Sequence, residues 1–207
     1  NHLYSGMETG SDRILKLINK GFDADTVVRS GCMAKDADMI LSEFILLGIG
    51  GKELSEENAA QTAKALNIIQ PDFIRVHATG EFVRNGSFAL QSEEEIVIEQ
   101  KLFLQQLHEM DSYYVNEHIV NLLLEVRGNL RTEKQEMLST IDRFLTLPPD
   151  ERLLFAVGRR LNIFFRLDDL KKPKLHQKAE ESLQQILSKN PHVDFAALCN
   201  YVRQSQI

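Results

Sequence analysis

Apolar positions change their spacing several times along the chain, and each change marks an element. Residues 1–4 read as the middle of a strand, which gives way to the glycine-flanked carboxylate of Gly6-Met7-Glu8-Thr9-Gly10. Ile14, Leu15 and Ile18 then fall on one helical face. Ser11 is placed to cap that helix, Asp12 adds negative charge at its positive end, and Lys20-Gly21 stops it. A second helix is expected from Asp23 or Asp25 to about Ala37, weakened by Gly31. Residues 39–47 make the strongest strand. Phe44-Ile45-Leu46-Leu47 is continuously apolar, as a strand covered on both faces requires, and Gly48-Ile49-Gly50-Gly51 closes it. Ser55 is expected to cap a third helix whose inner face carries Ala59, Ala63 and Leu66. Pro71 separates that helix from a strand at 73–78. Strand, helix, strand in this order predicts parallel pairing through right-handed crossovers.

Beyond this the spacing predicts a loop at 78–92, a long helix at 93–110 with Glu93-Glu94-Glu95 as its negative first turn, and a short strand at 113–115. The remainder reads as helical. Thr132 and Gln135 fit a capping box, Pro148-Pro149 breaks the chain, and helices follow at 150–161, up to Lys189, and after Asp194. The expected fold class is α/β, with parallel strands over residues 1–120 and a helical extension over 121–207.

Composition narrows the function classes. The chain has 207 residues, 43% hydrophobic and 26% charged, enough for a real core. Its net charge of −6 argues against nucleic acid as the main partner, since phosphate binding needs a surplus of Lys and Arg. No apolar run has the ~18 residues of a membrane span. No export signal is seen, and Cys32 and Cys199 lack metal-ligand spacing, so a cytoplasmic protein with reduced thiols is expected. The chain opens without Met inside a strand, and we expect a piece of a longer protein.

The run G-M-E-T-G-S-D-R-I-L-K-L-I-N-K-G at residues 6–21 resembles a segment of the radical SAM superfamily that follows the fourth barrel strand. F-I-L-L-G-I-G-G is similar to the fifth-strand segment, and Pro71-Asp72-Phe73-Ile74 to the start of the sixth strand. The resemblance covers roughly the first 80 residues. It implies that residues 1–120 are the C-terminal half of a parallel-stranded partial (β/α) barrel, in a protein that binds S-adenosylmethionine on a [4Fe-4S] cluster, cleaves the sulfonium, and abstracts hydrogen from a substrate inside the barrel. By that resemblance Glu8 and Thr9 contact the ribose or methionine part of the cofactor, and Ile45, Leu46 and Gly48 flank the adenine. The family's fifth strand often places an acidic residue where this chain has Gly51, and the three clustered cysteines are absent. The isolated chain is therefore expected to hold no cofactor and to do no radical chemistry. The later residues look like uncharacterised bacterial iron–sulfur oxidoreductases.

Several side chains admit two readings. Glu8 either contacts the cofactor or satisfies backbone amides at its helix start. Gly50-Gly51 makes a plain turn, because no Gly-Lys-Ser/Thr completes a P-loop. Phe73, Arg75 and His77 share one face of their strand; facing inward, Arg75 would grip an anionic substrate bidentately. Glu43 is expected either to line a polar interior with these two or to pair with a base such as Arg75, since it does not stay buried alone. Glu117-His118 with Asn121 suggests a metal or acid/base group but is more often structural. Arg159-Arg160 with Lys171, Lys172 and Lys174 reads as a solvated face or internal ion pairs. A second class of function stays open: a non-catalytic half-barrel with helices that dock a protein or RNA. Open sheet edges predict pairing with a second copy or cover by the C-terminal helices.

Overall fold

The computed structural model describes residues 1–78, 89–189, 191–192 and 194–199. Most of the loop expected at 78–92 lies outside the described residues. Strand β1 (His2–Glu8) leads through α1 (Asp12–Leu17) and α2 (Ala24–Asp36) to β2 (Ile40–Leu47), then α3 (Ser55–Ile69) and β3 (Phe73–Ala78). Helix α4 (Glu93–Gln106) precedes β4 (Tyr113–Val115) and β5 (Gly128–Asn129). Helices α5 (Lys134–Leu145), α6 (Pro149–Arg160) and α7 (Pro173–Lys189) complete the order, with a 3-10 turn at Leu167–Lys171. No helix among the described residues is long and apolar enough to cross a membrane.

The sheet runs β1-β2-β3-β4-β5 in chain order; the first four strands are parallel and β5 is antiparallel to β4. An α/β sheet of sequential parallel strands with open edges fits a partial barrel. Helices α2, α3 and α4 pack on one face, where Leu41, Ile45, Leu47, Ile74, Val76 and Tyr114 are all but fully buried. Each such apolar side chain contributes on the order of 1.5–3 kcal/mol by leaving water. The same apolar cluster continues past residue 120 through Phe144, Phe155 and Phe164. Asn121 joins the two parts: its amide donates to Val76 O at 2.7 Å and accepts from Ala78 N at 2.7 Å, extending the end of β3 with a side chain in place of a strand.

Three local expectations are corrected. Ser55 is the first residue of α3 rather than its cap, and its hydroxyl donates to Glu99 instead. Thr132 does not cap α5; Glu133 holds the cap position and turns its carboxylate to Asn129 N at 2.7 Å. The capping box lies at Ser92 and Glu95, each of which receives the other's backbone N–H.

Arg159 and Arg160 are buried rather than part of a basic surface. Arg160 grips both oxygens of Glu93 at 2.6–2.9 Å and donates to Val120 O at 2.9 Å, fastening α6 to the start of α4. Lys171 and Lys172 pair with Asp168 and Asp169. Removing one partner of a buried pair strands the other charge at a cost of about 3–5 kcal/mol. Urea denaturation of Arg160→Ala is expected to show that loss; a change under 1 kcal/mol would mean the pair is dispensable.

Candidate functional site

Among the described residues, the face of the sheet opposite α2, α3 and α4 is open, and its side chains follow from the strand period of two. His2 and Tyr4 on β1, Ser42 and Phe44 on β2, Phe73, Arg75 and His77 on β3, and Tyr113 on β4 all point to it. The rings contact one another across the strands: Tyr4 with Phe44 at 6.3 Å, His2 with Phe73 at 5.8 Å, and Phe44 with His77 edge-on at 5.5 Å between centroids. The Arg75 guanidinium lies 5.6–5.9 Å from the rings of Tyr4, Phe44 and Phe73. Such contacts stabilise a cation by about 0.5–1 kcal/mol at exposed sites.

Beyond Arg75, His77 stacks on His118 with centroids 4.1 Å apart. Together with Arg75, Val115 and Glu117 they line a recess of about 220 Å³. Burial, with Arg75 and His118 nearby, lowers the His77 pKa to about 4, so its imidazole is neutral at pH 7. Burial also lowers His118. Glu117 sits 3.8 Å from Arg75 and 3.9 Å from Arg127, loosely shared between them. Asn121 does not join this group, because its amide is spent on β3 and on Asn116. Among the described residues, no three His, Cys, Asp or Glu side chains converge to hold a metal ion.

The strand tips form the upper rim. A bulge between Gly6 and Glu8 on β1 sets Glu8 opposite Ile45 with φ 64°. A left-handed backbone is costly for any residue but glycine, and bulges of this kind re-aim a side chain. The carboxylate turns back over Gly6, on the side of Phe44, and pairs with Lys20 at 2.7 Å; a Cβ on Gly6 would meet it at 2.8 Å. Gly48 ends β2 with φ 80°, a conformation open to glycine at little cost.

The remaining predicted residues take other places. Thr9 is fully buried beside Thr62 and accepts from Ser11 N, so its hydroxyl holds the turn against α3. Ile45 faces the helices in the core. Leu46 packs with Ile14, Ile49 and Leu54 beneath the rim, and its carbonyl accepts from Asn58. Glu43 neither lines the open face nor pairs with Arg75. It is in register with Ile74 while Phe44 is in register with Arg75, so a single step of the strand sends it to the helix side. There it is 1% exposed and its Oε2 has no partner. Burial lifts its pKa to about 7, with Glu8 adding repulsion and the Ser5 hydroxyl opposing the shift.

Glu99 carries weight that the sequence reading did not assign. This buried carboxylate accepts from Gly48 N at 3.0 Å, Asn58 Nδ2 at 2.7 Å, Ser55 Oγ at 2.7 Å and Gln91 Nε2 at 2.9 Å. Burial pushes its pKa up while the four donors pull against it. It pins the glycine turn at the tip of β2 to α3 and α4. The available signal was its spacing: Ile96, Glu99, Gln100 and Phe103 make one buried stripe of α4.

With this geometry in hand, comparison with known proteins gives no match to a family model, to a curated protein or to a solved structure.

Glu43 generates a pH prediction. Its folded pKa of about 7 lies above the ordinary 4.5, so the folded state binds the extra proton between those values. Stability conferred by the protonated form is present below about pH 4.5 and is lost as pH rises through 7. Thermal melts across that window should show Glu43→Gln gaining on the parent by up to about 3 kcal/mol at pH 8 relative to pH 4. Parallel curves for the two proteins would refute the assignment.

Proposed function

We propose that the open face is the interior wall of one half of a radical SAM barrel, and that the tips of β1 and β2 form a nucleoside slot. The observation that carries this is the position of Glu8: the carboxylate of G-M-E-T-G-S-D stands at the end of a parallel strand, re-aimed by a bulge toward the uncovered face. Ligands of parallel α/β sheets bind at such strand ends. Glu8 would accept hydrogen bonds from the ribose hydroxyls of S-adenosylmethionine once Lys20 shares or releases it, and Gly48 would let the adenine approach the backbone. Arg75 and His77 would hold the substrate below. Thr9 and Ile45, buried away from the slot, would serve as its supports.

The [4Fe-4S] cluster does not fit this chain's own residues. Such clusters need three or four thiolates, and the sequence has only Cys32 on α2 and Cys199 near the C-terminus. In this reading a longer polypeptide supplies the cysteines, and its preceding strand pairs with β1, whose outer edge is free among the described residues. Held by those cysteines, a cluster would supply reducing electrons, while this chain would contribute the residues that bind the nucleoside. The isolated chain would bind S-adenosylmethionine weakly and, with β1 bare, would pair edges with a second copy; calorimetry and light scattering read these two outcomes.

A non-catalytic reading draws on one observation: Glu8 is already satisfied by Lys20, as in a purely structural turn. Anaerobic reconstitution of the full reading frame with iron and sulfide separates the two. Formation of 5′-deoxyadenosine under reducing conditions is expected. Glu8→Gln should raise the KM for S-adenosylmethionine by about tenfold, the value of one or two charge-assisted hydrogen bonds. A reading frame without three clustered cysteines, or no deoxyadenosine, overturns the enzymatic reading.

A further inference from the structure

We infer that the open face is a binding site for a small planar aromatic carboxylate, with Arg75 as its anion grip. This rests on reading that face as a ligand wall and names the class of ligand, but it requires no radical chemistry. The first ground is a cation held by only one loose ion pair among the described residues. The Arg75 side chain is 24% exposed; its Nε lies 3.4 Å from Ser42 Oγ, and its nearest carboxylate, on Glu117, stands off at 3.8 Å. Among the described residues, its two terminal nitrogens donate no hydrogen bond. A guanidinium presents a planar fork that matches a carboxylate with two parallel bonds.

The second ground is the surface around that fork. Tyr4, Phe44 and Phe73 surround the guanidinium with rings, and they hold it in place from the sheet side. On the other side the stacked imidazoles of His77 and His118 wall a recess of about 220 Å³, room for one substituted ring. Besides Arg75, the recess is lined by the two imidazoles, Val115 and one carboxylate, Glu117, so its walls favour a single anionic group on an apolar ring over a second negative charge. One cation on a chain of net charge −6 does not suit a polyanion, although stacked rings on a sheet also bind single-stranded nucleic acid in other folds.

The test uses the whole chain, without cluster or S-adenosylmethionine, and sodium benzoate as probe. Titration followed by NMR should shift the Arg75 Nε–H and the ring signals of His77 and Tyr4, and benzamide, of the same shape without the charge, should not compete. Arg75→Gln should weaken benzoate binding about tenfold or more, and Arg75→Lys, which restores charge without the fork, should recover only part of it. Tyr4→Ala, at an exposed position that leaves the fold intact, should weaken binding severalfold. Unchanged affinity in Arg75→Gln, equal competition by benzamide, or preference for a single-stranded oligonucleotide would overturn the proposal. Failure here leaves the deoxyadenosine assay untouched, and failure of that assay leaves this titration untouched.

Discussion

One-sided cover of the sheet is the constraint from which the rest follows. Parallel strands are ordinarily buried on both faces, because their crossover helices fall on both. Here α2, α3 and α4 all lie on one face, so alternate residues of every strand meet opposite environments. Leu41, Ile45, Ile74 and Val76 enter the core, while Tyr4, Phe44, Phe73, Arg75 and His77 remain on an open wall. A wall of rings around one guanidinium survives contact with water better than an aliphatic one, since the rings contact one another and the cation. Sequential parallel strands with helices on a single side also fit a partial barrel.

The rim above that wall is fixed by buried polar atoms as well as by the small apolar cluster of Ile14, Ile49 and Leu54. Glu99 gathers four donors from a backbone turn, α3 and the approach to α4. Asn121 repeats the device at the end of β3, where no longer strand continues the ladder. Buried networks of this kind specify one arrangement because every partly satisfied alternative is costly. Glu43 is the exception, a buried carboxylate with one oxygen unpartnered, and its raised pKa records that cost.

Much of the fold was legible in the sequence because it rests on spacing. The apolar run of β2, the alternation in β3 and the helical stripes of α1 to α4 each follow a period that backbone geometry imposes. Glu8 at a strand tip was legible too, from the glycines around it. What escaped is what depends on contacts distant in sequence. Alternation along β2 separates Glu43 from Phe44, but only the register with β3 tells which of the two joins Arg75. Thr9 was expected at the cofactor, and is buried because Thr62 arrives from α3. Ser55 and Thr132 have the chemistry of caps, yet Ser55 spends its hydroxyl on Glu99 across the fold, and Glu133 takes the cap position beside Thr132. Strand β5, two residues long, has no period to read.

The proposed enzyme places a nucleoside across the tips of β1 and β2, on the face that carries Phe44 and His77. A crystal structure of the full-length protein, grown anaerobically with S-adenosylmethionine, measures it directly. The account predicts ribose hydroxyls within hydrogen-bond distance of Glu8 and adenine against the backbone of Gly48. A nucleoside on the helix-covered side, or one bound with Glu8 still closed on Lys20 and out of reach, would contradict it.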